Sequence, residues 1–138
     1  MEANATVTPP MTPNDFTIRQ MRAAACLNAL QLMAMRKQTI NYETLALMLG
    51  LPSSGNALAS AISPVLYDVY NFCVEVDMPH LTILVVRKSG RDKGLPGPGF
   101  WKVYGEHFLD SDFSFNDRVE ITERETAKCF ELFSKLGA

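Results

Sequence analysis

The stretch PHLTILVVRKSGRDKGLPGPGFW, residues 79–101, decides how the chain is read. An apolar run from Leu81 to Val86 passes directly into four cations, Arg87, Lys88, Arg91 and Lys93, with only Asp92 among them, a local charge of +3. A loop of Gly and Pro follows, then two adjacent aromatics, Phe100 and Trp101. The apolar run does not alternate, which predicts a strand covered on both faces. FWKVY, residues 100–104, is expected to return as its partner strand. The cationic loop between them then reads as a hairpin wing. The plainer alternative is a solvated turn with Phe100 and Trp101 in the core.

Upstream lies INYETLALMLGLPSSGNALASAI, residues 40–62. Asn41 is placed to cap a short helix carrying Leu45, Met48 and Leu49 inward. Gly50 is expected to end that helix in the left-handed conformation that only glycine adopts cheaply. LPSSG is a turn, and Ser53 or Ser54 is expected to cap a third helix. Leu58, Ile62, Leu66, Val69 and Phe72 or Cys73 form its predicted stripe, and Pro64 is expected to kink or split it. Small residues at its start allow two helices to cross closely, as a helix-turn-helix requires. A first helix is predicted from a Thr12-Pro13-Asn14-Asp15 cap to about Arg36, with Ile18, Met21, Ala25, Leu32 and Met35 inward. The last helix is predicted from a Thr122/Glu125 capping box, with Ala127, Phe130, Phe133 and Leu136 inward.

Helix, short strand, helix, turn, helix, strand, basic loop, strand is winged-helix order. The expected fold is α+β, winged-helix-like, with an extra C-terminal helix, over residues 12–138, after a loose leader at 1–11. In this order the chain resembles the C-terminal domain of alkylguanine-DNA alkyltransferases and alkyltransferase-like proteins. The resemblance rests on Tyr42, Glu43, Leu45, Ala46, Gly50, Pro52, Ala57, Ala59, Ala61, Leu81 to Leu84, Val85, Val86, Arg87 and Gly90, about half the chain. It implies DNA binding. The family's Pro-Cys-His-Arg acceptor motif is absent, because LTILVVRKSG holds no cysteine. Cys73, the nearest, falls within a helix without a base or positive field beside it, so alkyl transfer is not expected. The pattern LTxLVVxK…GLPGxGFW is also similar to one that recurs in small uncharacterised proteins of bacteria and phages, which implies a phage or mobile-element setting.

Composition bounds the rest. The 138 residues are 47% hydrophobic and 20% charged, ordinary for a globular chain. No apolar run reaches the roughly 18 residues of a membrane span. MEANATVTPPMTPND has an acid at position 2 and no base, so it does not read as a signal peptide. Cys26, Cys73 and Cys129 are odd in number, far apart and set in apolar helical contexts. That pattern predicts buried, reduced thiols and a cytoplasmic protein. Net charge is −2, but residues 16–104 carry nine bases against five acids, and residues 105–138 eight acids against four bases. A mildly basic body with an acidic tail permits nucleic-acid binding without requiring it.

The expected function is therefore non-enzymatic binding of double-stranded nucleic acid. Arg87, Lys88, Arg91 and Lys93 of the wing would hold phosphates, with Arg36 and Lys37 beside them. Asn56 and Ser60 of the third helix would face the groove of the duplex. That helix has no Lys or Arg between Gly55 and Val76 and carries Asp68 and Glu75, so affinity must come from those six cations. The same polarity suits a protein-interaction module, an adaptor or inhibitor using Tyr67, Tyr70, Trp101 or the acidic tail. No cofactor is expected. GRDKGLPGPG lacks the phosphate-loop order and is not expected to open a helix, which argues against a nucleotide site. Asp110, Asp112, Ser114 and Asn116 alternate as in a calcium loop. Phe115 stands where such a loop needs Gly and Ile121 where it needs an acid, so a solvated turn is expected and no metal.

Overall fold

A computed structural model describes residues 17–108 and 112–137. These residues fold as five helices and a small two-stranded parallel sheet. Helix α1 spans Ile18–Met35, strand β1 Ile40–Asn41, α2 Tyr42–Met48, α3 Gly55–Glu75, β2 Val85–Val86, α4 Pro98–Phe108 and α5 Phe115–Ser134. A 3-10 turn, Leu81–Leu84, precedes β2 and another, Lys135–Gly137, follows α5. The expected leader and the Thr12-to-Asp15 cap lie outside the described residues.

The helix ends follow local chemistry. Thr17 caps α1 in a reciprocal box: its hydroxyl accepts from the Gln20 N–H at 3.1 Å, and Gln20 Oε1 accepts from the Thr17 N–H at 2.9 Å. Asn41 caps α2, accepting the Thr44 N–H at 2.8 Å. Three helices close alike, with a left-handed residue after the last turn: Lys37 after α1, Gly50 after α2 and Asp77 after α3. The next amide then reaches back five residues, as Leu51 does to the Ala46 carbonyl at 2.8 Å. Helix α3 runs unbroken through Pro64. Ser54 stands at its N-cap without a side-chain bond.

The core is centred on the run from Leu81 to Val86, all six residues buried. Only Val85 and Val86 are extended; they pair in parallel with β1, Ile40 opposite Val85 and Asn41 opposite Val86. Helices α1, α3 and α5 all pack on Leu81–Leu84, and α1 also packs on α3 and α5. Helix α3 is long and apolar enough by length and composition to cross a membrane. It serves here as a core helix, burying Ile62, Val65, Val69, Tyr70 and Cys73.

Several expectations are corrected. No strand returns from the basic loop, so the wing is not a two-stranded hairpin. FWKVY lies on α4, opened by Pro98 at its first position, where the missing N–H costs nothing. Phe100 and Tyr104, one turn apart, are its buried face. The Gly- and Pro-rich loop therefore does open a helix. Helix α5 begins eight residues before the expected box, capped by Ser114 with Asp117. Thr122 and Glu125 are buried within it instead. Helix α1 turns the opposite side inward: Cys26, Ala29, Leu30 and Ala34 are buried, while Ile18 is 64% and Leu32 49% exposed. Met48 and Leu136, expected inward, are also exposed, and of the alternatives Phe72 and Cys73 it is Cys73 that is buried.

Gly50 has φ +71°, and a Cβ there would meet nothing within 4 Å. Gly50→Ala is therefore expected to cost about 1 kcal/mol from backbone conformation alone. In urea denaturation the midpoint should fall with the slope unchanged.

Candidate nucleic-acid interface

The end of the buried run positions the first cations. Arg87 is the first exposed residue after Val86, and its backbone is held at the neck of the loop. Its N–H donates to the Leu95 carbonyl at 2.9 Å, and its carbonyl accepts from the Gly94 N–H at 2.9 Å. Gly90 and Gly94, at φ +86° and +84°, turn the loop between. Leu95, Pro96 and Gly97 are buried and lead into α4.

A groove of about 1080 Å³ runs between α3 and this neck. Ser60, Ser63 and Tyr67 line it from α3; Arg87, Lys88 and Ser89 from the loop; Gly97, Gly99 and Lys102 from the start of α4. Tyr70, Thr82 and Phe100 line it where the core begins. Tyr42, the first residue of α2, also lines the groove, and its phenol oxygen accepts the Gly97 N–H at 2.7 Å. A Cβ on Gly97 would come within 3.1 Å of that oxygen, a tight contact that Tyr42 would have to relieve by shifting a few tenths of an ångström. Burial pushes the Tyr42 phenol pKa up, against the opposing pull of the Gly97 N–H and the Arg87 charge.

The expected site residues do not form one patch. Arg87 and Lys88 are on the groove, and Ser60 faces them from α3. Asn56 is exposed in the first turn of α3 but does not line the groove. Arg91 turns away, its guanidinium 5.7 Å from the ring centroid of Phe115 at the start of α5. Asp92 faces Arg118 of α5 at 3.9 Å. Lys93 is exposed, bridged through its backbone to Arg87. Arg36 and Lys37 are exposed at the end of α1 and do not line the groove. The basic run is thus divided between two faces.

Two features were invisible in the sequence. Arg19 of α1 grips Asp68 of α3 with both nitrogens, Nε at 2.7 Å and Nη2 at 2.9 Å. The hydrogen bond and charge of Asp68 raise the Arg19 pKa. The pair offsets the acid on α3. Lys102 joins the groove because helical spacing stacks it one turn above Pro98. Read as part of a strand, it gave no such signal. Glu43 and Glu106 also line the groove.

None of the three cysteines is set up as a nucleophile. Cys26, Cys73 and Cys129 are unpaired and fully buried, one each from α1, α3 and α5. Burial pushes the Cys26 and Cys129 thiols up to about 12 and raises Cys73. His80 stacks on Tyr70 with centroids 4.9 Å apart, and burial lowers its pKa. Both belong to a ring cluster with Phe100, Tyr104, His107 and Phe108 that fastens α4 to the core. Glu125, 4% exposed, is held by Arg124 and Lys128 at 3.3 and 3.2 Å. The expected alternating acidic loop is used otherwise. Ser114 caps α5, Asn116 is in its first turn, and Asp110 lies outside the described residues.

The Tyr42 hydroxyl links the start of α2 to the start of α4. Tyr42→Phe should strand the Gly97 N–H and cost about 1–3 kcal/mol in urea denaturation. Tyr42→Phe should also raise amide hydrogen exchange at Gly97 before other α4 amides.

No family model, no curated protein and no solved structure matches the chain.

Proposed function

We propose that the chain is a small, non-enzymatic, cytoplasmic protein that binds double-stranded nucleic acid, in a phage or mobile-element setting. On this reading α3 faces the duplex and the loop after β2 grips phosphates. The observation that carries it is the shared groove: Arg87 and Lys88, both exposed, stand across from Ser60 and Ser63 of α3. Neither cation makes an ion pair with a described residue. The Arg19–Asp68 pair removes an acid that would repel a phosphate backbone from α3. The cations are few, so affinity should be modest, and its loss with salt should follow a log–log slope of about −0.9 per phosphate neutralised.

A second reading, a protein-interaction module, has its own observation. Helix α3 exposes Tyr67, Phe72 and Val74, Tyr67 at 48%. Tyr70, another expected anchor, is buried, and Trp101 is half-buried with its indole N–H on the Pro96 carbonyl at 3.1 Å. A partner surface would therefore use Tyr67 without them.

Replacing Arg87, Lys88 and Arg91 together by alanine is expected to weaken duplex binding by a factor of about ten or more in a low-salt mobility-shift series. Circular dichroism should be unchanged, since all three are exposed. Unchanged binding rejects the reading. A stoichiometric protein partner recovered after nuclease treatment favours the alternative.

A further inference from the structure

We propose that the first turn of α4, with Arg87, Lys88 and Lys102, forms a phosphate-binding subsite within the groove, suited to a backbone phosphodiester. It deepens the nucleic-acid reading and rests on the same groove. Four observations converge on it.

The first is the state of the α4 amides. The Gly97 N–H is taken by Tyr42, Pro98 has none, and the Phe100 N–H turns back to the Gly97 carbonyl at 3.2 Å. Gly99 therefore presents the first uncommitted N–H at the positive end of an 11-residue helix. The second is access. Gly99 lines the groove, and a Cβ there would meet nothing within 4 Å, so an anion can approach the backbone closely.

The third is charge. Arg87, Lys88 and Lys102 line the same groove, are exposed, and pair with no described acid. The fourth is independent of the helix end. Thr82 lines the groove, is only 5% exposed, and its hydroxyl has no hydrogen-bond partner. A buried hydroxyl without a partner is costly, and a phosphate oxygen would accept from it. Glu43 and Glu106 oppose the three cations and leave a small positive balance. That balance suits a singly charged phosphodiester better than a phosphate dianion.

The test is amide NMR of the full chain, titrated separately with inorganic phosphate and with a short duplex oligonucleotide, against chloride at matched ionic strength. The Gly99 and Thr82 amides should move with phosphate and with duplex, and not with chloride. Lys102→Gln, at an exposed position, should weaken the phosphate response by about tenfold, the scale of one charge-assisted hydrogen bond. Lys102→Gln should also lower the salt slope of duplex binding by about 0.9. A Gly99 amide unmoved by either ligand, or Lys102→Gln titrating like the parent, overturns the subsite. The two proposals fail separately. Duplex binding with Gly99 unmoved sinks the subsite and keeps the nucleic-acid reading. A Gly99 response to phosphate that Lys102→Gln weakens, without duplex binding, does the reverse.

Discussion

The structure depends on burying six consecutive residues, Leu81 to Val86, five of them apolar. Leu81, Ile83, Leu84 and Val85 have no exposed surface at all. Burying such a side chain is worth about 1.5–3 kcal/mol. That gain requires cover on every side, and α1, α3 and α5 supply it around Leu81–Leu84. It also requires partners for the buried backbone. The 3-10 turn supplies one internally, from the Ile83 N–H to the His80 carbonyl at 3.0 Å. A second N–H, that of Val85, bonds back to the Thr82 carbonyl, and the extended pair Val85–Val86 pairs with β1. Strand β1 ends at Asn41, which caps α2. The same central run therefore sets where α2 begins and where Arg87 emerges.

Signals that live within four or five residues were legible in the sequence. The Asn41 cap and the Gly50 stop depend on one side chain and its own backbone, so they needed no knowledge of the fold. Faces and periods were less legible. Helix α1 carries apolar residues nearly all round, so spacing alone could not choose a side. Packing against its neighbours chose the side with Cys26, Ala29 and Ala34. FWKVY is too short to separate a period of 2 from one of 3.6. The decisive signal was Pro98 one position inside a helix start, and it was hidden in a run that reads as loop. Two capping boxes compete near the last helix; Ser114 with Asp117 begins it, and Thr122 with Glu125 lies inside.

The candidate site was legible in part for a related reason. Sequence places Arg87, Lys88, Arg91 and Lys93 side by side, but a tight loop turns neighbours to different faces. Arg91 goes to Phe115, and Asp92 to Arg118, both of α5. Conversely, partners 49 residues apart, Arg19 and Asp68, act as one neutral unit. Charge counted along the chain therefore overstated the wing and understated α3, whose acid is offset by a residue on another helix.

Helix α4, in place of a returning strand, changes the electrostatics of the groove as well as its shape. A strand end carries almost no net dipole. A helix start carries about half a positive charge and amides without internal partners. The segment that would have closed a hairpin wing instead directs these amides into the groove beside Lys102. The absence of Lys and Arg from α3 is then less of an obstacle to binding an anion between them. On the proposed reading, attraction would come from one wall, from backbone dipole and the Arg87–Lys88–Lys102 cations together. The other wall, Ser60, Ser63 and Tyr67, can meet a ligand by hydrogen bonding and stacking. On the proposed reading the uncharged wall would supply specificity and the charged one strength, and the Tyr42–Gly97 bond fixes the charged wall against the start of α2.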